Sequence, residues 1–138
     1  MSDRQNNTTR TGLGHLIAFT VPGRPVPAVR MTQRGKWVKE NAKRYLAYKD
    51  SVGWSAKAVH WGLIRGLVRV EIHLYLTNDK PIGDVDNYAK AILDGLNGVV
   101  WVDDTQVAQL HVYRHMAAPQ RAEVQVRELN AEEVAAVG

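Results

Sequence analysis

The chain contains no cysteine, which excludes disulfide bonds and metal sites built on thiolates. It has no apolar run approaching the roughly 18–20 residues that cross a membrane. Residues 1–9 are too polar for a signal peptide. The chain also lacks a glycine-rich phosphate-binding loop and a Ser/His/Asp nucleophile pattern. We therefore expect a cytoplasmic protein with no membrane association and no organic cofactor.

The composition is that of an ordinary globular domain. The 138 residues are 45% hydrophobic and 23% charged, which is enough to form the core of one domain. The formal net charge is +4 and the isoelectric point is about 9.5. A basic chain is compatible with a polyanionic partner such as nucleic acid, but net charge alone does not identify one.

Positive charge is concentrated between residues 23 and 49. Glu40 is the one acid of this segment, against these basic residues: Arg24, Arg30, Arg34, Lys36, Lys39, Lys43, Arg44 and Lys49. Dense positive charge of this kind is typical of a surface that contacts phosphates. The alternative is a solvated face with no partner.

Hydrophobic periodicity and turn residues divide the chain into strands and helices. We predict a flexible lead-in over residues 1–14, a strand over 15–21, a short basic hairpin over 29–38, a helix over 40–61, a strand over 67–77, a helix over 87–96, strands over 106–114 and 122–127, and a short helix or frayed tail over 130–138. The fold class is α/β (α+β): a single compact domain over residues 16–129, with a mixed sheet packed by two main helices.

Three patterns predict which side chains share one face of an element, and that face is expected to be buried in the strand over 67–77. One face of the strand over 67–77 carries Val68, Val70, Ile72, Leu74 and Leu76. One stripe of the first helix carries Tyr45, Tyr48, Val52, Ala56 and Val59. One side of the strand over 106–114 carries Ala108, Leu110 and Val112.

Aspartates flank the second predicted helix. Asp84 and Asp86 precede it, and Asp103 and Asp104 follow it. Residues two apart in extended backbone point to the same side, so Asp84 and Asp86 can face one site. A bound Mg²⁺ or Mn²⁺ would relieve the repulsion between such carboxylates, because hard cations prefer oxygen ligands. Since adjacent residues usually point apart, we expect only one residue of the second pair to bind the metal.

Lys90 lies four residues after Asp86, so the two side chains can share a helix face. Beside a metal, its ammonium group could hold a phosphate or stabilise charge on a transferring phosphoryl group. Asp94 follows four residues later and either orients Lys90 or forms an ordinary surface ion pair with it.

Each of these residues also has a purely structural interpretation. Asp86 suits a helix N-cap, and Asp103 and Asp104 suit a turn before the next strand. A surface position on the sheet is the better interpretation of three of the five histidines, His73, His111 and His115.

The tryptophans offer a weaker signal for nucleic-acid binding. Trp37 is the best candidate for stacking on a base, because it lies in the basic segment. Trp54 and Trp61 lie seven residues apart on the predicted helix, which is more typical of packing residues.

Residues 84–107 resemble the signature of the RusA family of Holliday-junction resolvases. The matching positions are Asp84, Asp86, Asn87, Lys90, Asp94, Leu96, Trp101, Asp103, Asp104, Gln106 and Val107. The proline- and arginine-containing turn after Phe19, and Tyr45 in the first helix, are similar to the family more loosely. The resemblance extends over about residues 16–129.

The resemblance implies a homodimeric, Mg²⁺- or Mn²⁺-dependent endonuclease that cuts four-way DNA junctions symmetrically, often in a phage or prophage setting. On the matching positions, Asp84, Asp86 and Asp104 would be the metal-binding acids and Lys90 the catalytic lysine. Asp103 remains a possible ligand. Two symmetric cuts need two related active sites, which a two-fold dimer supplies.

Some relatives carry an arginine-rich run before the first aspartate, where this chain has only Lys80. Junction binding would then depend on Lys80 and on the basic segment: Arg24, Arg30, Arg34, Lys36, Lys39, Lys43 and Arg44. Two alternatives remain open. The substrate could be another branched DNA such as a flap or a fork, or the chain could be a non-catalytic DNA-binding module.

Overall fold

The computed structural model describes residues 8–11, 14–29 and 36–137, and the side chains of residues 16–29 and 39–137. Its elements are β1 (Thr8–Thr11), β2 (Gly14–Pro22), α1 (Lys36–Lys57), β3 (Val68–Leu76), α2 (Val85–Leu96), a 3₁₀ turn (Asp104–Gln106), β4 (Val107–Met116), β5 (Arg121–Glu128) and α3 (Ala131–Ala136).

The strands form one mixed sheet in the order β1-β2-β5-β3-β4. Strand β5 pairs antiparallel with both β2 and β3, whereas β3 and β4 are parallel. A parallel pair needs a crossover connection, and the segment that contains α2 supplies it. The crossover places the start of α2 and the turn before β4 in the same part of the molecule.

The core lies between one face of the sheet and the two long helices. Strand β3 alternates strictly between buried and half-buried residues, as predicted. The predicted stripe of α1 is also buried, from Tyr45 to Ala56. Helix α2 contributes buried residues that include Tyr88, Ile92 and Leu96. The predicted fold class, a mixed sheet packed by two main helices in one domain, is confirmed.

Helices α1 and α2 approach each other closely at Gly95. A Cβ atom at Gly95 would lie 2.8 Å from Cβ of Val52 and 2.9 Å from the carbonyl oxygen of Lys49. Such distances are below van der Waals contact, so only glycine fits at this crossing. The close approach brings the side chain of Tyr45 on α1 to that of Asp94 on α2.

Several boundaries differ from the prediction. Thr8–Thr11 forms an edge strand with β2, within the segment predicted to be a flexible lead-in. Its four residues are too few and too polar to show a buried period. Helix α1 begins at Lys36, so the end of the predicted basic hairpin is helical, while residues 30–35 lie outside the described part of the chain. Helix α1 ends at Lys57 rather than near residue 61.

Burial differs from what the apolar patterns suggest in two places. Strand β4 lies at the edge of the sheet, and Leu110, on the apolar side of the predicted strand, is 43% exposed. Trp54 and Trp61 were interpreted as packing residues but are 70% and 83% exposed. The alternating pattern identifies which side of a strand is apolar, but the neighbouring elements decide whether that side is covered. Among the described residues, no helix is long and apolar enough to span a membrane.

Candidate active site

The N-terminus of α2 carries the first two predicted acids. Asp84 occupies the N-cap position with extended backbone, and its side chain caps no backbone amide. Asp86 lies in the first helical turn, and both carboxylates are exposed. The two residues do not share the extended backbone expected of them, because the helix begins at Val85. The partial positive charge of a helix N-terminus stabilises carboxylates at these positions.

A cavity of about 520 Å³ between α2 and β4 brings together side chains from three predicted site positions. Asp86, Lys90 and Asp104 all line it, and Asp94 lies beside them. The remaining lining residues are apolar: Val85, Ala89, Leu93, Leu110 and Val112. Asp84 is adjacent in sequence but is not among the lining residues. The structure thus groups Asp86 with Asp104, which lies 18 positions later in the chain.

Trp101 fixes the orientation of Asp104. The indole is fully buried, and its Nε1–H donates a hydrogen bond of 2.8 Å to Oδ1 of Asp104. A buried donor anchored in the core restricts the rotamers available to the carboxylate that accepts from it. The Asp104 side chain is therefore presented toward the cavity by a rigid partner.

Asp103 and Gln106 hold the turn that carries Asp104. Asp103 caps the 3₁₀ turn, because its Oδ2 accepts from the backbone N–H of Thr105 at 3.1 Å and from its hydroxyl at 2.6 Å. These bonds hold the pKa of the Asp103 carboxyl below its ordinary value. Oε1 of Gln106 accepts from the backbone amides of Val102 and Asp103. Its Nε2 donates to the carbonyl oxygens of Ile64 and Gly66.

Lys90 has one charged partner in the described part of the chain. Its Nζ lies 3.5 Å from Oδ2 of Asp94, one helical turn later. The hydroxyl of Tyr45, on α1, donates a hydrogen bond to the same carboxylate oxygen. Burial, and then the bond to Asp94, raise the pKa of Tyr45 above its ordinary value. The phenol therefore remains a hydrogen-bond donor at neutral pH.

The chemistry of these side chains fits a hard divalent cation. Asp86 and Asp104 supply carboxylate oxygens to one cavity, and the chain has no thiolates that would favour a softer metal. Within the described residues, no group of three acidic or histidine side chains is placed to hold an ion.

Arg24 has a structural role. Its guanidinium donates to the carbonyl oxygens of Thr77 at 2.9 Å and Pro81 at 3.1 Å, and also to Oε1 of Gln120. The side chain is only 19% exposed. These bonds tie the chain after β2 to the loop before α2, and they engage the guanidinium that the sequence predicts to contact DNA.

The other basic residues are distributed as follows. Lys39, Lys43 and Arg44 are exposed on α1, and Lys80 is exposed on the loop before α2. Arg44 and Lys80 line a second cavity, of about 680 Å³, which also includes Gly83 next to Asp84. Arg30 and Arg34 lie outside the described residues, as do the side chains of Lys36 and Trp37.

His73, His111 and His115 lie on the side of the sheet away from the core, as predicted. His73 and His115 share a hydrogen bond of 2.8 Å, and Nε2 of His73 lies 2.7 Å from Glu71. This contact holds the pKa of the Glu71 carboxyl below its ordinary value. The rings of His73 and Tyr113 stack at a centroid distance of 4.8 Å. None of these residues lines the cavity between α2 and β4.

Two features of the site went unpredicted from the sequence. The hydrogen bond from Trp101 to Asp104 and the contact of Tyr45 with Asp94 both depend on tertiary packing. The only signal for them in the sequence is that each of the four residues falls on a position of the motif or helix that resembles the family.

The fold and the site together define a small mixed α+β domain with an acidic, lysine-containing cavity on a basic chain. The family described as Endodeoxyribonuclease RusA matches residues 22–127. The chain therefore belongs to the RusA family of endodeoxyribonucleases. It is also 44% identical to "Uncharacterized protein YqaN" of Bacillus subtilis (strain 168), over 83% of this chain and 98% of that protein.

Proposed function

We propose that the protein is a metal-dependent endodeoxyribonuclease that resolves Holliday junctions by paired, symmetric strand cuts in DNA recombination and repair. The observation that carries the proposal is the convergence of Asp86, Lys90 and Asp104 on one cavity, in a chain of the RusA family. Carboxylates beside a lysine suit phosphodiester hydrolysis, in which a metal and a cation stabilise the negative charge that develops on the phosphate.

Asp84, Asp86 and Asp104 are the proposed ligands of Mg²⁺, with Mn²⁺ as an alternative. Asp84 and Asp86 are exposed, and exposed side chains change rotamer within nanoseconds. We propose that both turn toward the oriented carboxylate of Asp104 when the metal binds. Asp103 is less suited to the role, because its Oδ2 already accepts two hydrogen bonds from Thr105. A bound metal would activate water and neutralise the leaving oxygen.

Lys90 is the proposed partner of the scissile phosphate. Its side chain is 64% exposed and projects from the helix that carries Asp86. Its ammonium group can therefore donate to a phosphate oxygen beside the carboxylates. The floor of the cavity is apolar, with Ala89 and Leu93 from α2 and Val112 from β4.

The proposed DNA-contacting residues are Lys39, Lys43, Arg44 and Lys80, together with Arg30, Arg34 and Lys36 outside the described side chains. Arg44 and Lys80 are grouped with Gly83, which precedes Asp84. Positive charge thus adjoins the acidic site, so a DNA backbone that contacts these cations also passes the carboxylates. Neutralising phosphates releases counterions, so binding should weaken steeply with salt.

The proposed assembly is a homodimer acting in the cytoplasm, where its DNA substrate lies. One chain carries one candidate site, whereas paired cuts at a four-way junction require two sites related by symmetry.

The test is cleavage of a labelled mobile four-way junction by the wild type, Asp86→Asn and Asp50→Asn. Asp50 is exposed on α1 and makes the same change in net charge when substituted. We expect Asp86→Asn to bind the junction but not to cut it, because removing an anion near DNA does not weaken electrostatic attraction. Asp50→Asn should cut at the wild-type rate. Equal cleavage by Asp86→Asn and the wild type would show that the site is assigned wrongly.

A further inference from the structure

Without a partner, the ammonium group of Lys90 would have no fixed position at the candidate site. Its side chain is 64% exposed and has many rotamers in solution. An ion pair between side chains one helical turn apart on a helix surface adds little to the free energy of unfolding. Fold stability therefore gives little reason for the contact between Lys90 and Asp94. A cation that must meet a phosphate at a fixed place instead benefits from a partner that is itself held in place.

Asp94 is such a partner. Its side chain is only 21% exposed, and Oδ2 both accepts from the hydroxyl of Tyr45 and lies 3.5 Å from Nζ of Lys90. Tyr45 is 5% exposed, so its hydroxyl is directed from the core and not from a mobile surface chain. The close crossing of the two helices at Gly95 fixes the distance between Tyr45 and Asp94.

We propose that Tyr45 and Asp94 are positioning residues for Lys90: the buried hydroxyl fixes the carboxylate, and the carboxylate holds the ammonium group at the edge of the cavity. The inference rests on the proposed role of Lys90 in cleavage. Neither positioning residue touches the substrate. Their contribution therefore lies in the rate of the cleavage step and not in the affinity for DNA.

Tyr45→Phe tests the first link, with Tyr48→Phe as a matched control. Tyr48 lies one turn further along the same face of α1 and is 6% exposed, but in the described part of the chain its hydroxyl has no hydrogen-bond partner. We expect Tyr45→Phe to lower the single-turnover cleavage rate by about tenfold, the usual cost of losing a supporting hydrogen bond. Junction affinity should not change, and Tyr48→Phe should cut as the wild type does. A wild-type cleavage rate for Tyr45→Phe would overturn the proposal.

The second link is tested by combining variants. Asp94→Asn removes the charge that attracts Lys90, and we expect it to lower the cleavage rate by at least as much as Tyr45→Phe. If Tyr45 acts through Asp94, Tyr45→Phe should cause no further loss in the Asp94→Asn background. An equal additional loss in that background would show that the hydroxyl acts independently, and would overturn the proposal.

A readout without cleavage separates this inference from the proposed function. Lysines labelled by reductive ¹³C-methylation give separate NMR signals, and Lys90→Arg identifies that of Lys90. This signal should shift in Tyr45→Phe and Asp94→Asn but not in Tyr48→Phe. If it shifts as expected while the wild type cuts no branched DNA, the contact holds and the proposed function fails. If it does not shift, the positioning role fails whatever the enzyme cuts.

Discussion

The indole Nε1–H of Trp101 donates a 2.8 Å hydrogen bond to Oδ1 of Asp104, which joins the largest fully buried side chain of the described residues to an acid of the candidate active site. The conformation of Asp104 therefore depends on the core and not on solvent. A metal ligand oriented in this way needs less rearrangement when the ion binds.

Trp101→Phe removes this donor and keeps an aromatic ring in the core. We expect the Mn²⁺ concentration that gives half-maximal cleavage to rise by about tenfold, because supporting hydrogen bonds of ligands typically contribute this much to metal affinity. Trp54→Phe is the control, since Trp54 is exposed and lies on α1. An unchanged Mn²⁺ dependence in a folded Trp101→Phe variant would contradict the role assigned to the indole.

Gly95→Ala should destabilise the fold. Its Cβ would lie within 3 Å of Val52 and Lys49, and forcing helices apart typically costs about 1–3 kcal/mol. Gly53→Ala is the control in the same helix pair, because its Cβ would lie 3.4 Å from the nearest atom and alanine favours helix. In urea unfolding, the free energy of unfolding should fall for Gly95→Ala and should not fall for Gly53→Ala. Equal stabilities would argue against the close helix crossing.

Arg24→Ala should lower stability without changing how DNA binding depends on salt. The variant loses partly buried hydrogen bonds from a charged donor, and a hydrogen bond of this kind is worth about 1.5–3 kcal/mol in unfolding experiments. Lys80→Ala should leave stability unchanged and reduce the salt dependence of DNA binding. An exposed cation that contacts one phosphate contributes about 0.9 to the slope of log K against log salt. A reduced salt slope for Arg24→Ala would instead show that Arg24 contacts DNA phosphates.

The contact of α3 with the sheet should depend on pH. Arg127 donates to both carboxylate oxygens of Glu133, at 2.7 and 2.9 Å. This pairing lowers the pKa of Glu133 from 4.5 to about 2. Because the folded pKa is depressed, the pairing stabilises the fold above pH 4.5, and this contribution is lost as the pH falls toward 2.

The measurement is the melting temperature of the wild type and Glu133→Gln between pH 2 and pH 7. The two proteins should differ at neutral pH and converge at the acid end. Glu132→Gln is the control, because the exposed Glu132 precedes Glu133 in the same helix. A difference that persists at pH 2 would mean that the carboxylate charge is not its source.

The sequence predicts those parts of the fold in which burial follows chain periodicity. Strand β3 alternates along its whole length, and the apolar stripe of α1 packs as expected. Strand β4 has the same alternation, but its place at the sheet edge leaves Leu110 exposed, and strand order is not encoded in the pattern of one strand.

Some features of the candidate site can also be predicted from the sequence, whereas others depend on tertiary packing. The acids and Lys90 are predicted from residue type, spacing and the family resemblance, and the cavity groups Asp86, Lys90 and Asp104. The exact start of α2 decides how Asp84 and Asp86 point, and helix ends shift by one or two residues without a visible change in sequence. The partners from the core, Trp101 and Tyr45, emerge only when distant segments are packed together.

The most direct test of the central claim is to map the cuts that the wild type makes in a labelled mobile four-way junction and in the matching linear duplex, with Mg²⁺ and with EDTA. A resolvase should make paired nicks at symmetric positions in two strands of the junction, only with Mg²⁺, and should leave the duplex intact. Equal cutting of the duplex, or cutting that survives EDTA, would contradict the account.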